Sequence, residues 1–381
     1  MILYLLFFLF SLGSLGRLSF VGQEINVYLY EFAYAIFIGY LLVKYRLRPL
    51  RKKMTTFNYI YVFLVSVILT LLPSLFFFTT AQNVVAALYL VRLAFYLLGM
   101  PYVLFYVKDK KKHQESIKPM LFYVAITAGL AIIQYLYYPN LRNLEYLGWD
   151  PHQFRVFGSV FDTSTAAALY GMILLFLMFI GKRVIKSPVI WLGSIIFFIV
   201  IGALTYSRGF YGAITITLLY YLLVANKRIM SALYVVLVAA ILILLLPKPQ
   251  GESANLMRVF TIQSRAADYQ TAATLWQKNP ILGVGYNHLR YVKPAAQDDD
   301  LNHAGASLSS SFLIILVTTG IVGLATYLFM LYKLSQTSQI ALYSIMFLSI
   351  FSLSDNIFLH PFVLFLETFF IAWGITSRTS R

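Results

Sequence analysis

The sequence predicts an all-α protein: a polytopic transmembrane helix bundle of about twelve spans with one long external loop carrying short helices. Three observations carry that prediction. Of the 381 residues, 60% are hydrophobic, 17% aromatic and only 12% charged, more apolar side chain than a soluble core of this size can use. Apolar segments long enough to cross roughly 30 Å of hydrocarbon recur along nearly the whole chain. The basic residues gather in alternate loops between those segments.

The segments lie near residues 2–16, 27–43, 57–79, 82–106, 119–138, 159–180, 188–205, 209–225, 230–246, 309–331, 339–355 and 361–377. The first is short, but it lacks a basic leader and an Ala-x-Ala cleavage site, so it is expected to be a retained helix and not a signal peptide. Residues 1–381 are expected to form a single membrane domain, with 247–308 as an external loop within it.

Orientation follows from the 30 Lys and Arg residues. Lys44, Arg46, Arg48, Arg51, Lys52 and Lys53 follow the second segment, and Lys108, Lys110, Lys111, Lys112 and Lys118 follow the fourth. Lysine and arginine favour cytoplasmic loops, so both loops are expected inside. Lys182, Arg183, Lys186, Lys227, Arg228, Lys333, Arg378 and Arg381 share that parity, which places both termini in the cytoplasm of a multi-pass protein of the cell (inner) membrane. The net charge of +16 is then a topology signal and an attraction to anionic headgroups of the lipid bilayer. No basic soluble domain remains for a nucleic-acid partner. The absence of cysteine excludes disulfides and thiolate metal sites.

The opposite parity holds the candidate chemistry. Arg208 lies between two apolar segments on the expected outer face, where the positive-inside rule gives an arginine no topological purpose; an anion to bind is the alternative. In the 247–308 loop, good helix formers follow Arg265, and a helix lying along the membrane surface is expected. Arg258 and Arg265 are seven apart, so two helical turns bring them to nearly the same face. Asn279-Pro-Ile-Leu-Gly-Val-Gly-Tyr-Asn287 should break that helix. Gly283-Val-Gly285 lacks the context of a dinucleotide fingerprint, and no P-loop or His-Glu-x-x-His zinc motif exists. His113, His152, His288, His303 and His360 are scattered, so no metal and no cofactor is expected.

The second half of the chain resembles the O-antigen polymerase and O-antigen ligase family of membrane glycosyltransferases. The matching pieces are Arg155-Val-Phe-Gly-Ser-Val-Phe-Asp-Thr-Ser164, Tyr206-Ser-Arg-Gly209, Arg265 with Trp276, Asn279-Pro-Ile-Leu-Gly-Val-Gly285, and Ser309-Ser-Ser-Phe-Leu-Ile-Ile-Leu-Val-Thr-Thr-Gly-Ile-Val-Gly323. They span roughly residues 150 to 335; earlier, only hydropathy and Glu31 agree. The resemblance implies a GT-C-class, metal-independent enzyme with a polyprenyl-diphosphate-linked oligosaccharide as donor and a site facing outside. The reading taken is a polysaccharide polymerase acting on a lipid-linked acceptor, and polymerases of the family often need a chain-length regulator protein as partner; a ligase with a lipid-core or protein acceptor is the nearest alternative, and a flippase or transporter of lipid-linked oligosaccharide is the alternative from a different class. Arg208 and Arg265 carry over as the catalytic arginines. The family's histidine falls on Ser309, and the nearest histidine, His303, is six residues earlier; it is the candidate for contacting the acceptor hydroxyl.

Each residue has a plainer reading. Arg208 could reach to headgroups, and Arg265 could pair with Asp268 at i+3. Arg155 and Arg258, with Asp268 and Asp355, complete the candidate substrate-binding set. The Asp298–Asp300 run reads as a solvated tip. Arg92, Glu31 and Glu367 fall within apolar segments, where an internal pair or a helix end would satisfy them.

Overall fold

The computed structural model describes residues 2–20, 24–141, 153–225, 229–247, 260–293 and 307–379. Each of the twelve apolar segments is helical there: α1 (Ile2–Ser11), α2 (Leu29–Tyr45), α3 (Arg48–Phe77), α4 (Thr80–Val107), α5 (Lys110–Tyr137) and α6 (Thr163–Phe176), which continues through a π turn at Leu177–Gly181 into α7 (Lys182–Val184). Then come α8 (Pro188–Ala203), α9 (Arg208–Tyr220), α10 (Ile229–Leu245), α13 (Ser311–Ser335), α14 (Gln339–Ser352) and α15 (Pro361–Thr379). Between α10 and α13 lie α11 (Phe260–Lys278) and the short α12 (Leu289–Val292).

Five helices are long and apolar enough to cross a membrane: α3 from Phe57, α4, α5 from Lys112, α6 extended to Val184, and α13. Five more apolar helices are shorter. The ten-residue α1 rises only about 15 Å at 1.5 Å per residue. The expected first span of 2–16 is thus cut short at Ser11, and the chain turns through Gly13–Gly16 into an antiparallel hairpin of β1 (Arg17–Phe20) and β2 (Ile25–Tyr28), with Arg17 opposite Tyr28. This hairpin corrects the purely helical expectation. Phe20, Ile25 and Val27 gave only a few alternating positions, too short a run to stand out from flanking helices.

α6 forms the centre, with every residue from Thr165 to Leu177 buried, as a helix apolar all round should be. α8, α14, α15 and α9 pack around it, α15 lies along α4, and α13 lies along α3. Phe7, Phe10, Tyr30, Phe362, Phe365 and Phe369 interlock across α1, α2 and α15.

The two ends of the bundle differ in chemistry. Tyr102 donates to the Arg46 carbonyl, Trp373 donates to Ser116 at 2.8 Å, and the charge of Arg183 bears on His113. The lysine-rich segments therefore meet at one end. The opposite end collects the first residues of α6, α9, α13 and α15, the last of α14, and α11 across them.

Candidate active site

Arg208 is the first residue of α9, and its position is fixed by the turn before it. Tyr206 has φ 52°, a left-handed conformation that a bulky residue adopts only when its surroundings hold it. Here they do. Arg155 Nε donates to the Thr205 carbonyl at 2.7 Å, Val156 N–H to Leu204 O at 2.9 Å, and the Tyr211 hydroxyl to Ala203 O. Ser207 caps α9, its hydroxyl accepting from Phe210 N–H. A β-carbon on Gly209 would strike the ring of Phe351 and crowd Ser354 Oγ. In Ser207-Arg208-Gly209, then, serine starts the helix, glycine lets it abut the end of α14, and arginine stands at the positive end of the helix dipole.

What it stands beside is Asp355. Arg265 Nη2 reaches both oxygens of Asp355 at 3.0 Å; Ser164 Oγ donates to Oδ1 and Ser354 Oγ to Oδ2, each at 2.8 Å. The charges of Arg265 and Asp355 both act on Arg208. Burial raises the Asp355 carboxyl above its ordinary value, although Arg265, Ser354 and Ser164 pull it down. Asp162 directs its carboxylate to Ser164 and Thr165 N–H at the start of α6. Asp355 thus holds the guanidinium of Arg265 directly and acts on that of Arg208 through its charge, and among the described residues Nε and Nη1 of Arg265 meet no partner.

The alternative i+3 pairing of Arg265 with Asp268 does not form. Asp268 turns to Lys293 Nζ at 3.2 Å and accepts from Ser309 N–H at 2.9 Å. It anchors α11 to the start of α13, and the serines there hold the Asp355 turn. Ser310 Oγ donates to Ser352 O at 2.8 Å, and Ser311 Oγ accepts from Phe358 N–H at 3.1 Å. Ser309 Oγ is buried without a hydrogen-bond partner among the described residues.

The Asn279–Gly285 motif has a backbone purpose. α13 is interrupted at Gly320 (φ 64°, ψ −167°), and the motif docks in the gap. Val284 and Gly285 N–H bond to Val317 and Thr318 O at 3.0 and 2.9 Å, while Ile321 N–H bonds to Pro280 O at 2.9 Å. Broken helix backbone inside an apolar bundle needs such partners. A β-carbon on Gly283 or Gly320 would collide with the facing backbone, so both glycines are required by close approach.

Among the sequence-predicted residues, Arg208, Arg265 and Asp355 come together, and Asp268 lies behind them as an anchor. Arg155 is buried at 3% exposure and braces the Thr205 turn from beneath. Arg258, His303, His152 and Asp298–Asp300 lie outside the described residues. Glu31 and Arg92 pair with each other: Nε to Oε1 at 2.7 Å and Nη2 to Oε2 at 2.6 Å. Glu367 accepts from Ser344 Oγ at 2.9 Å. His288 is fully buried, stacked on Phe78 and 3.0 Å from Asn83 Oδ1, so it pins the connection between α11 and α13 to the α3–α4 junction. Burial lowers His360, which is neutral at pH 7.

Sequence reading assigned no role to Ser164 or Gln134. Gln134 Oε1 accepts from Phe157 and Gly158 N–H, and Nε2 donates to Arg155 O; a lone glutamine within an apolar segment was its only signal. Among the described residues, no group of three His, Asp or Glu side chains is placed to hold a metal ion.

Long apolar helices fit a multi-pass membrane protein of helical class, with a cationic, carboxylate-braced site at one end. Residues 193–328, about a third of the chain, match the family model described as O-antigen ligase, a match that supports the resemblance to O-antigen ligases and polymerases, membrane glycosyltransferase-like enzymes of polysaccharide biosynthesis. No curated protein matches the chain. The matched stretch contains Arg208 and Arg265 but ends before Asp355.

Proposed function

We propose that the protein is a polysaccharide polymerase of the GT-C class, transferring a glycan from polyprenyl diphosphate to the sugar of a second lipid-linked repeat unit. The convergence of Arg208 and Arg265 on Asp355 at the start of α9 carries this reading. In the reaction the acceptor hydroxyl attacks the anomeric carbon and gives up its proton to water, and the bond to the diphosphate breaks, so negative charge grows on the leaving group. Guanidinium groups hold such charge bidentately, and a partly dry site strengthens the hold. A diphosphate leaves without being protonated. Asp355 keeps Arg265 extended toward Arg208 before substrate arrives, as a positioning residue. The lysine-rich end would face the cytoplasm, as would both termini, and the arginine end the outside.

A ligase would share donor and arginines and differ in its acceptor, and the description of the matching family favours keeping that reading. Purified protein in liposomes, supplied with a lipid-diphosphate-linked repeat unit, separates the readings. A ladder of longer lipid-linked glycans with equimolar release of polyprenyl diphosphate, lost in R208A, supports the polymerase. Transfer only when a lipid core or protein acceptor is added would make it a ligase. Substrate crossing the bilayer unchanged would overturn both.

A further inference from the structure

The turn that carries Asp355 runs on into a histidine that the arginine site leaves unused. Ile357 N–H bonds to Asp355 O at 2.9 Å and His360 N–H to Ile357 O at 3.0 Å, so residues 355–360 form one tight connection between α14 and α15. His360 then starts α15 twice over. Its carbonyl accepts from Val363 and Leu364 N–H at 3.0 and 3.1 Å, and its ring Nδ1 accepts from Phe362 N–H at 3.4 Å. The ring lies against that of Phe362, with centroids 5.0 Å apart. The charge of Asp162 acts on both Asp355 and His360, so both ends of the turn face the start of α6, beside the arginine site.

The capping bond decides what the ring can do. A neutral imidazole has one N–H and one ring lone pair to offer. With the lone pair of Nδ1 on Phe362 N–H, the proton sits on Nε2. Nε2 is then a donor, and it makes no hydrogen bond among the described residues, although His360 is only half-buried. Asp162 is turned instead to Ser164 and Thr165 N–H. An Nε2 that carries its proton is no base for the acceptor hydroxyl, but it can hold a sugar oxygen. Resting on the proposed glycan transfer, we infer that His360 Nε2–H donates to an oxygen of the acceptor sugar and so sets where the acceptor lies against the diphosphate held by Arg208 and Arg265. No proton moves to or from the ring, and that of the attacking hydroxyl still goes to water. Because Nδ1 already fixes the ring, the donor loses little freedom on binding. The residue therefore serves acceptor recognition and not departure of the leaving group.

The test separates the two ring nitrogens. In H360N the amide oxygen can replace Nδ1 as the cap of α15, but the side chain is too short to reach where Nε2 lies. In H360Q the amide nitrogen reaches that place as a donor while the cap is lost. The full chain in liposomes receives the lipid-diphosphate-linked repeat unit as donor. As acceptor it receives the same repeat unit on a plain alkyl chain, which has no diphosphate and can only accept. Acceptor KM rising about tenfold in H360N, with donor KM and thermal midpoint unchanged, and largely restored in H360Q despite a lower midpoint, supports the inference. The reverse pattern, H360N like wild type and H360Q impaired, would make His360 a helix cap only and overturn it. Donor and acceptor KM rising together in H360N would overturn it as well, leaving the polymerase reading intact. If wild-type protein extends neither the alkyl-linked nor the diphosphate-linked repeat unit, the polymerase reading itself fails and the assignment falls with it.

Discussion

Of the three arginine–carboxylate pairs among the described residues, the two tightest are built differently. Glu31 and Arg92 face each other with two guanidinium nitrogens on two carboxylate oxygens, and the remaining valence is used: Tyr96 donates to Oε1, Tyr28 N–H to Oε2, and the ring of Tyr28 lies 5.4 Å from the guanidinium. Arg265 gives Asp355 a single nitrogen, and the charge of Arg208 bears on both. The first pair is closed, charge against charge with tyrosines around it. Among the described residues the second leaves Nε and Nη1 of Arg265 without a hydrogen bond, one donor nitrogen more than Arg92 leaves, and more open donors are what an anion-binding site requires. The same residue types thus close on each other between α2 and α4 and form a more open cationic cluster at the α9–α11–α14 junction.

The largest expected effect breaks the closed pair. R92A leaves Glu31 buried at 9% exposure with its charge uncompensated, and should cost about 3–5 kcal/mol of stability, read as a fall in thermal midpoint in detergent. The double variant E31Q/R92M should recover most of it, since a buried pair is worth little more than a well-packed neutral replacement. No recovery would mean that the pair contributes to function and not only to packing.

Next comes R208A, expected to cut glycan transfer by about 10²–10³ with stability nearly unchanged, the loss typical of removing one group that holds transition-state charge. A thermal midpoint as low as that of R92A would instead put Arg208 in the architecture. R265K keeps the charge but loses the planar fork, and should lower transfer about tenfold or more. Full activity in R265K would reduce its part to a point charge.

These contrasts also show what the sequence could say. All twelve apolar segments are helical because periodicity and length are local properties. Arg208 was conspicuous from sidedness alone, and the break after Lys278 from Pro280, Gly283 and Gly285. Partnership was not local. Arg265 and Asp355 are 90 residues apart, whereas Asp268 is three away, and helical spacing favoured the near carboxylate. Lys293 and Ser309 outcompete it for Asp268 in the folded chain. The break at Gly320 was hidden within an unbroken apolar run; only the facing Asn279–Gly285 backbone explains it.

The smallest effect concerns pH and sharpens the comparison most. Burial raises the Asp355 carboxyl, so the fold favours its protonated form, and this group's contribution to stability improves as pH falls through the raised value. The Arg265 contact weakens over that same interval, because a neutral carboxyl holds a guanidinium less firmly. Activity should therefore decline on the acid side above the ordinary carboxylate range, about 3.9 for aspartate, while the thermal midpoint does not fall with it through this group. D355N, neutral at every pH, should show lower transfer at pH 7 without that acid limb. If D355N kept the limb unchanged, another group would set it, and Asp355 would belong with Glu31 as part of the scaffold.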